Sequence, residues 1–194
     1  MHLSPSDLDP FTSLLRQADF IVIQNEIPME TNLKVAQIRR KKGARVIYNP
    51  APFRIGSDQI GLYADLIVPN EIELSELTHL PVATQREIDV AAGKLLGNGK
   101  TEAVIVTLGA RGSMVKDRRG AEFFPSVNVK AIDTTAAGDA FIAGMIWSLS
   151  EGNDLRTSVQ TANEVAGYSV TILGAQPSLP TREQLEQFRT QLKR

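Results

Sequence analysis

The chain has 194 residues, 42% of them hydrophobic and 22% charged, and its 21 Lys and Arg against 22 Asp and Glu leave a net charge of -1. A chain of this length buries about 70% of the surface its unfolded form exposes, which excludes disorder as a starting assumption, and the near-neutral balance offers no basic field to nucleic acid or an anionic membrane. With no cysteine there is no disulfide, iron–sulfur cluster or thiol nucleophile, and no run approaches the roughly 18 apolar residues of a membrane span, so a single cytoplasmic domain is the expectation.

Residues 1–17 carry prolines and acids where a targeting signal would have a basic start and an apolar block. Residues 19–24 (DFIVIQ) form a short β-branched run, and a helix is predicted over residues 30–42, with apolar positions Leu33, Val35, Ala36 and Ile38 and Gly43 as its stop. Residues 45–49 (RVIYN) and 64–68 (ADLIV) read as the next strands, the latter closed by Pro69, with Asn70 capping a helix that begins at Glu71. A longer helix is predicted over 84–96 and a fourth strand over 103–107 (AVIVT). Shorter antiparallel strands follow over 113–116 and 122–124, after a glycine-bounded turn at 109–112. From Gly138 onward the pattern is helical, over 139–149, 155–172 and 182–192. Continuous apolar runs joined by helices mark an α/β fold whose mostly parallel sheet is covered on both faces.

A sheet of this kind invites a nucleotide at the carboxyl ends of its strands, yet the dinucleotide fingerprint G-x-G-x-x-G is absent. Gly99-Lys100-Thr101 imitates the end of a phosphate loop, but Lys94 stands where its first glycine belongs, and a helix C-cap explains it. His2 and His79 match neither a metal-ligand spacing nor a triad, and no G-x-S-x-G is present. Residues 131–144 (AIDTTAAGDAFIAG) differ from all of these, because two acids flank small residues at the start of a helix. There, first-turn amides and the helix dipole favour an anion, and Asp139 stands where a carboxylate can accept the proton of an attacking hydroxyl. Spacing alone leaves helix capping and catalysis both open for Asp139.

The string DTTAAGDAF at 133–141 resembles the C-terminal signature of the ribokinase-like (PfkB-type) carbohydrate kinases. Five other stretches resemble that family in order and spacing: 24–28 (QNEIP), 49–52 (NPAP), 69–73 (PNEIE), 107–112 (TLGARG) and 174–178 (GAQPS). The resemblance implies a three-layer ribokinase-like fold and ATP-dependent phosphorylation of a sugar hydroxyl, with ribose giving ribose 5-phosphate and deoxyribose a near neighbour. It implies Asp139 as catalytic base and Gly138, with the amides around it, as an anion hole for the transferring phosphoryl group. Asn70 and Glu73 match an N-x-x-E element that organises magnesium-ATP, Glu73 through metal-bound water. Thr107, Leu108, Gly109, Ala110, Arg111 and Gly112 lie along ATP in the family pattern, and Asn163 matches a position on the adenine side. Glu26 matches a sugar-contacting glutamate.

A potassium site is implied as well, with Asp133 and Thr135 in one half and Ser169, Ile172, Gly174 and Ser178 in the other. Ordinary readings stand beside each of these: a capping Asn70 with a solvent-facing Glu73, a plain turn at 109–112, a buried or solvated Asn163, a polar loop residue at Asp133, a solvated Glu26. At its front, the family carries a further glycine-rich sugar-binding segment, an acceptor-holding Asp and a small β-lid, none of which matches here. The chain is therefore expected to correspond to an N-terminally truncated form, with ATP or ADP and a small sugar as ligands and with self-association or a complementing N-terminal segment as its macromolecular contacts. The alternative is a nucleotide-binding fragment with weak or no catalysis.

Overall fold

Four short runs of aliphatic and β-branched residues lie side by side in parallel. They are β1 (Phe20–Ile23), β2 (Arg45–Tyr48), β3 (Leu66–Ile67) and β4 (Ala103–Thr107), with Ile21 opposite Val46, Ile47 opposite Leu66 and Leu66 opposite Ala103. The structure is a computed structural model that describes residues 3–39, 44–97 and 100–192. Parallel neighbours cannot be joined by a tight turn, and the crossovers carry helices: α2 (Met29–Arg39), α3 (Ser57–Gly61), then α4 (Glu71–Thr78) and α5 (Gln85–Gly97). Ahead of β1 stand a 3-10 segment (Pro5–Phe11) and α1 (Thr12–Gln17). The sheet order is β1 to β6 in sequence. Strands β5 (Ser113–Asp117) and β6 (Gly120–Phe124) are separated by Arg118 and Arg119 alone, a connection that only an antiparallel hairpin accommodates. Helices α6 (Ala137–Ser150), α7 (Leu155–Ser169) and α8 (Arg182–Leu192) complete the chain.

Several boundaries depart from expectation for physical reasons. The strand expected over 64–68 is reduced to Leu66 and Ile67, because the buried Asp65 carboxylate takes the Val46 N–H at 2.7 Å. Helix α7 ends at Ser169 rather than 172, where the Val170 carbonyl instead accepts the N–H groups of Ile132 and Asp133. The Pro5–Phe11 segment, α1 and α3 were not expected, and α6 starts two residues early. The end of the helix predicted to residue 42, its Gly43 stop and the Gly99 cap lie outside the described residues.

The chain divides into two compact units, Met1–Val106 with Lys116–Glu122, and Thr107–Val115 with Phe123–Arg194. In the first, Val46, Ile47, Tyr48, Leu66, Val104, Ile105 and Val106 are wholly buried, the near-continuous apolar run of strands covered on both faces. Strand β1 forms the sheet edge, and Val22 on it is exposed. In the second, α6 and α7 approach closely at Gly144, where any Cβ would lie 2.8 Å from Val165. Ala140, Val165, Leu185 and Phe188 form the core there, with the Tyr168 ring edge-on to Phe188. Among the described residues no helix is long and apolar enough to cross a membrane.

Candidate functional site

In the first unit, the chain leaves β3 through buried Pro69 and enters α4 by a reciprocal cap. Asn70 Oδ1 accepts the Glu73 N–H at 2.9 Å, and Glu73 Oε2 accepts the Asn70 N–H at 2.9 Å. The predicted spacing thus closes the helix start, but Glu73 is buried rather than solvent-facing. Burial pushes its carboxyl above the usual glutamate range, and the Asn70 N–H only partly opposes that. A buried carboxylate of this kind gains from a cation or from a water polarised by one, so the residue type and its burial fit a divalent metal bound through water. Among the described residues no three His, Asp or Glu side chains cluster to hold a metal by themselves.

Glu26 is exposed just beyond β1, and the residue before it is the hub of a buried network. The Asn25 amide nitrogen lies 3.1 Å from the Pro50 carbonyl, 3.0 Å from the Pro52 carbonyl and 2.9 Å from Ser57 Oγ, while Asn25 Oδ1 accepts the Tyr48 hydroxyl at 3.0 Å. Burial raises the Tyr48 hydroxyl above the usual phenol range, with the bonds to Ser57 and Asn25 opposing. The network ties the loop that carries Glu26 to the 49–57 segment. In the sequence Asn25 stands out only within the 24–28 stretch, and no motif marks Tyr48. The available signal was a pair of hydrogen-bonding side chains at the carboxyl ends of adjacent parallel strands.

In the second unit, residues 107–112 run from the end of β4 into β5. The Leu108 N–H donates to the Gly112 carbonyl at 2.8 Å and the Gly112 N–H to the Gly109 carbonyl at 3.0 Å, which folds the loop into a tight ring. Gly112 has φ 98 and ψ -127, and a Cβ there would lie 2.1 Å from the Phe124 carbonyl oxygen, so only glycine fits. Gly109, Ala110 and Arg111 are exposed. Asn163 is buried on α7, and its amide nitrogen lies 3.0 Å from Ser113 Oγ and 3.3 Å from the Phe124 carbonyl.

Helix α6 opens without any side-chain cap. Ala136, its N-cap, is in the left-handed region at φ 61, and Gly138 and Asp139 follow, exposed, in the first turn. First-turn N–H groups have no intrahelical acceptor, and with the helix dipole they present partial positive charge. Asp133 holds the approach to this turn. Its Oδ1 accepts the Thr135 N–H at 2.9 Å and its Oδ2 the Gly174 N–H at 2.8 Å, and bonds from the Thr135 hydroxyl and these two amides hold its carboxyl below the usual aspartate range. Asp133, Thr135 and Gly174 are thereby brought together. Ser169 and Ser178 meet each other through their hydroxyls at 2.9 Å, and the Ile172 N–H donates to the Ser169 carbonyl. Each group offers hard oxygens of the kind a monovalent cation takes, the Asp133 carboxylate with the Thr135 hydroxyl in one and the Ser169 and Ser178 hydroxyls in the other.

A mostly parallel sheet with helical crossovers, together with an uncapped helix start that carries an acid in its first turn, defines the class as an α/β protein. The chain belongs to the pfkB family of carbohydrate kinases, whose pattern matches residues 2–182. It is 36% identical over 187 residues to the ribokinase of Haemophilus influenzae and 35% identical over 187 residues to the deoxyribokinase of Salmonella typhi, in each case over 96% of this chain and 61% of the relative. Among solved structures it matches ribokinase from Thermotoga maritima (TM-score 0.85, 36% identity, 96% of this chain and 61% of that one). It also matches Arabidopsis thaliana ribokinase complexed with ribose and ATP (TM-score 0.85, 30% identity, 96% of this chain and 59% of that one). The fold is thus the three-layer α/β fold of ribokinases. The chain spans about 61% of the length of the curated relatives it matches first.

Proposed function

We propose that the chain provides the nucleotide-binding and phosphoryl-transfer part of an ATP-dependent sugar kinase, acting on ribose to give ribose 5-phosphate. The observation that carries this is the start of α6, where Ala136 is left-handed, no side chain caps the helix and Gly138 and Asp139 stand exposed in the first turn, with the Ala137 N–H turned back to the Thr134 carbonyl at 3.2 Å. In the proposed reaction the Asp139 carboxylate accepts the proton of the sugar hydroxyl, whose oxygen forms a bond to the γ-phosphorus while the bond from that phosphorus to the β,γ-bridging oxygen breaks, releasing ADP. The Gly138 amide and its neighbours stabilise charge on the transferring group. Asn70, Thr107, Leu108, Gly109, Ala110, Arg111, Gly112 and Asn163 serve ATP, Glu26 serves the sugar, and Glu73 orients magnesium-bound water. When bound, magnesium neutralises charge on the phosphates. Asp133, Thr135, Ser169, Ile172, Gly174 and Ser178 hold potassium, which suits a carboxylate kept ionised by the bonds it accepts.

A second reading is favoured by the share of the relatives that the chain spans: nucleotide binding without sugar phosphorylation. A coupled assay of ribose-dependent ADP release, with Mg-ADP titration alongside, separates the two. Asp139→Asn is expected to lower ribose-dependent release by about 100-fold or more while leaving Mg-ADP affinity within about threefold. Equal turnover in Asp139→Asn would remove Asp139 as the base. Mg-ADP binding with no ribose-dependent release in the parent chain supports the second reading, and no Mg-ADP binding at all refutes both.

A further inference from the structure

Asn163 presents a conflict between the role its position implies and the bonds it makes. The atom 3.3 Å from the Phe124 carbonyl must be the amide nitrogen, since a carbonyl can only accept, and the same nitrogen reaches Ser113 Oγ at 3.0 Å. Both amide hydrogens are therefore spent inside the protein, in a side chain that is buried.

The two partners sit at telling places. Ser113 is the residue immediately after the 107–112 loop and is itself wholly buried, and Phe124 offers the carbonyl against which Gly112 is pressed. A third tie reaches the same loop, from Ser126 Oγ to the Ala110 carbonyl. Asn163 thus clamps the first residue of β5 to the last residue of β6 from α7. That spacing is what seats Gly112, and through the Leu108 to Gly112 bond it sets the ring whose exposed face is Gly109 to Arg111.

We propose that Asn163 is a positioning residue for the nucleotide loop, acting through Ser113 and Phe124 rather than through a hydrogen bond of its own to the base. It rests for its ligand on the nucleotide-binding reading above. A direct contact could use only the remaining acceptor, Oδ1, and this makes Asn163→Asp decisive, because that variant keeps the acceptor and the shape but loses the donors. A carboxylate there also faces the Phe124 carbonyl with no hydrogen to offer.

The test uses the full chain, with Mg-ADP titration by calorimetry and amide hydrogen exchange on the ligand-free protein. Asn163→Asp and Asn163→Ala are each expected to weaken Mg-ADP binding by about tenfold, and Ser113→Ala, which leaves the Phe124 bond in place, by about threefold. The Asn163→Ala, Ser113→Ala double variant should bind no more weakly than Asn163→Ala alone, because both changes cut one link. Exchange at the Leu108 and Gly112 amides should rise by about tenfold in the Asn163 variants, with β4 amides unchanged.

Parent-like affinity in Asn163→Asp would make Asn163 a direct contact and overturn the proposal. So would a lowered Tm with every affinity unchanged, the mark of a purely structural strut. If Asn163→Asp lacks a cooperative melt, Ser113→Ala carries the test, and parent-like affinity and loop exchange in it overturn the proposal. If the parent chain binds no Mg-ADP, the nucleotide reading fails separately, and unchanged exchange at Leu108 and Gly112 then refutes the clamp itself.

Discussion

The starts of α4 and α6 are built in opposite ways. Helix α4 closes itself, with Asn70 and Glu73 each accepting the other's N–H. Thr84 with Glu87 does the same for α5, Thr181 with Gln184 for α8, and Asp154 alone caps α7. Helix α6 has no side-chain cap and begins from a left-handed alanine, a conformation that costs an L-residue about 1–2 kcal/mol. Helices α1 and α3 also lack a side-chain cap, but α3 begins from Gly56, whereas α6, which carries Gly138 and Asp139, begins uncapped from a left-handed residue other than glycine. Local stability and anion binding are competing uses of the same amides, and the proposed function assigns the first to α4 and the second to α6.

The largest expected effect comes from opening the closed start. Asn70→Ala removes the acceptor for the Glu73 N–H and should cost about 1–2 kcal/mol in urea unfolding. A loss indistinguishable from zero would mean that α4 is held by tertiary packing alone and that the contrast with α6 is only apparent. Next comes relief of the open start. Ala136→Gly admits φ 61 without strain but enlarges the unfolded ensemble, so a net gain of about 0.5–1 kcal/mol is expected. A net loss would show that the left-handed alanine is not a source of strain.

How far the sequence reached can be judged at the same two helices. The Asn70 cap was legible, because an Asn three residues before a Glu, after a strand and a proline, carries its own chemistry. The burial of Glu73 was not, since it depends on what packs over α4, and no local pattern reports that. At α6 the string DTTAAGDAF located the helix and its acid, yet nothing local predicts a left-handed alanine, a conformation that glycine usually supplies. Strands β1, β2 and β4 stood out as apolar runs, whereas β3 shrank because one buried carboxylate, Asp65, took the place of a ladder acceptor. The short α1 and α3 carry too few turns for periodicity to register. Asn163 was placed by its family position, but its bonds to Ser113 and Phe124 link residues 50 and 39 positions away in the chain.

The smallest effects are the most diagnostic, because the carboxylates beside the two helix starts should answer pH with opposite signs. Asp133 has its folded value lowered beneath 3.8, so between that lowered value and 3.8 the unfolded chain binds the extra proton. Its contribution is complete at neutral pH and disappears as pH falls through the window, so Asp133→Asn should lower Tm near pH 7 and match the parent at the acid end. Glu73 has its folded value raised above 4.5, so between 4.5 and that raised value the folded chain holds the proton that the unfolded chain has lost. Stability therefore falls as pH rises through this window, and above it the buried ionised carboxylate carries its full cost. Glu73→Gln keeps an acceptor for the Asn70 N–H and removes the charge, so it should raise Tm modestly near pH 7, with the gain fading as pH drops towards 4.5. The same variant should weaken Mg-ADP binding, since the cost of burying that charge in the free chain is what a metal-bound water would offset. A Glu73→Gln gain that stays constant from pH 8 to about pH 4 would mean that packing, not ionisation, sets the difference, and Glu73 would lose its standing as a carboxylate held ready for a cation.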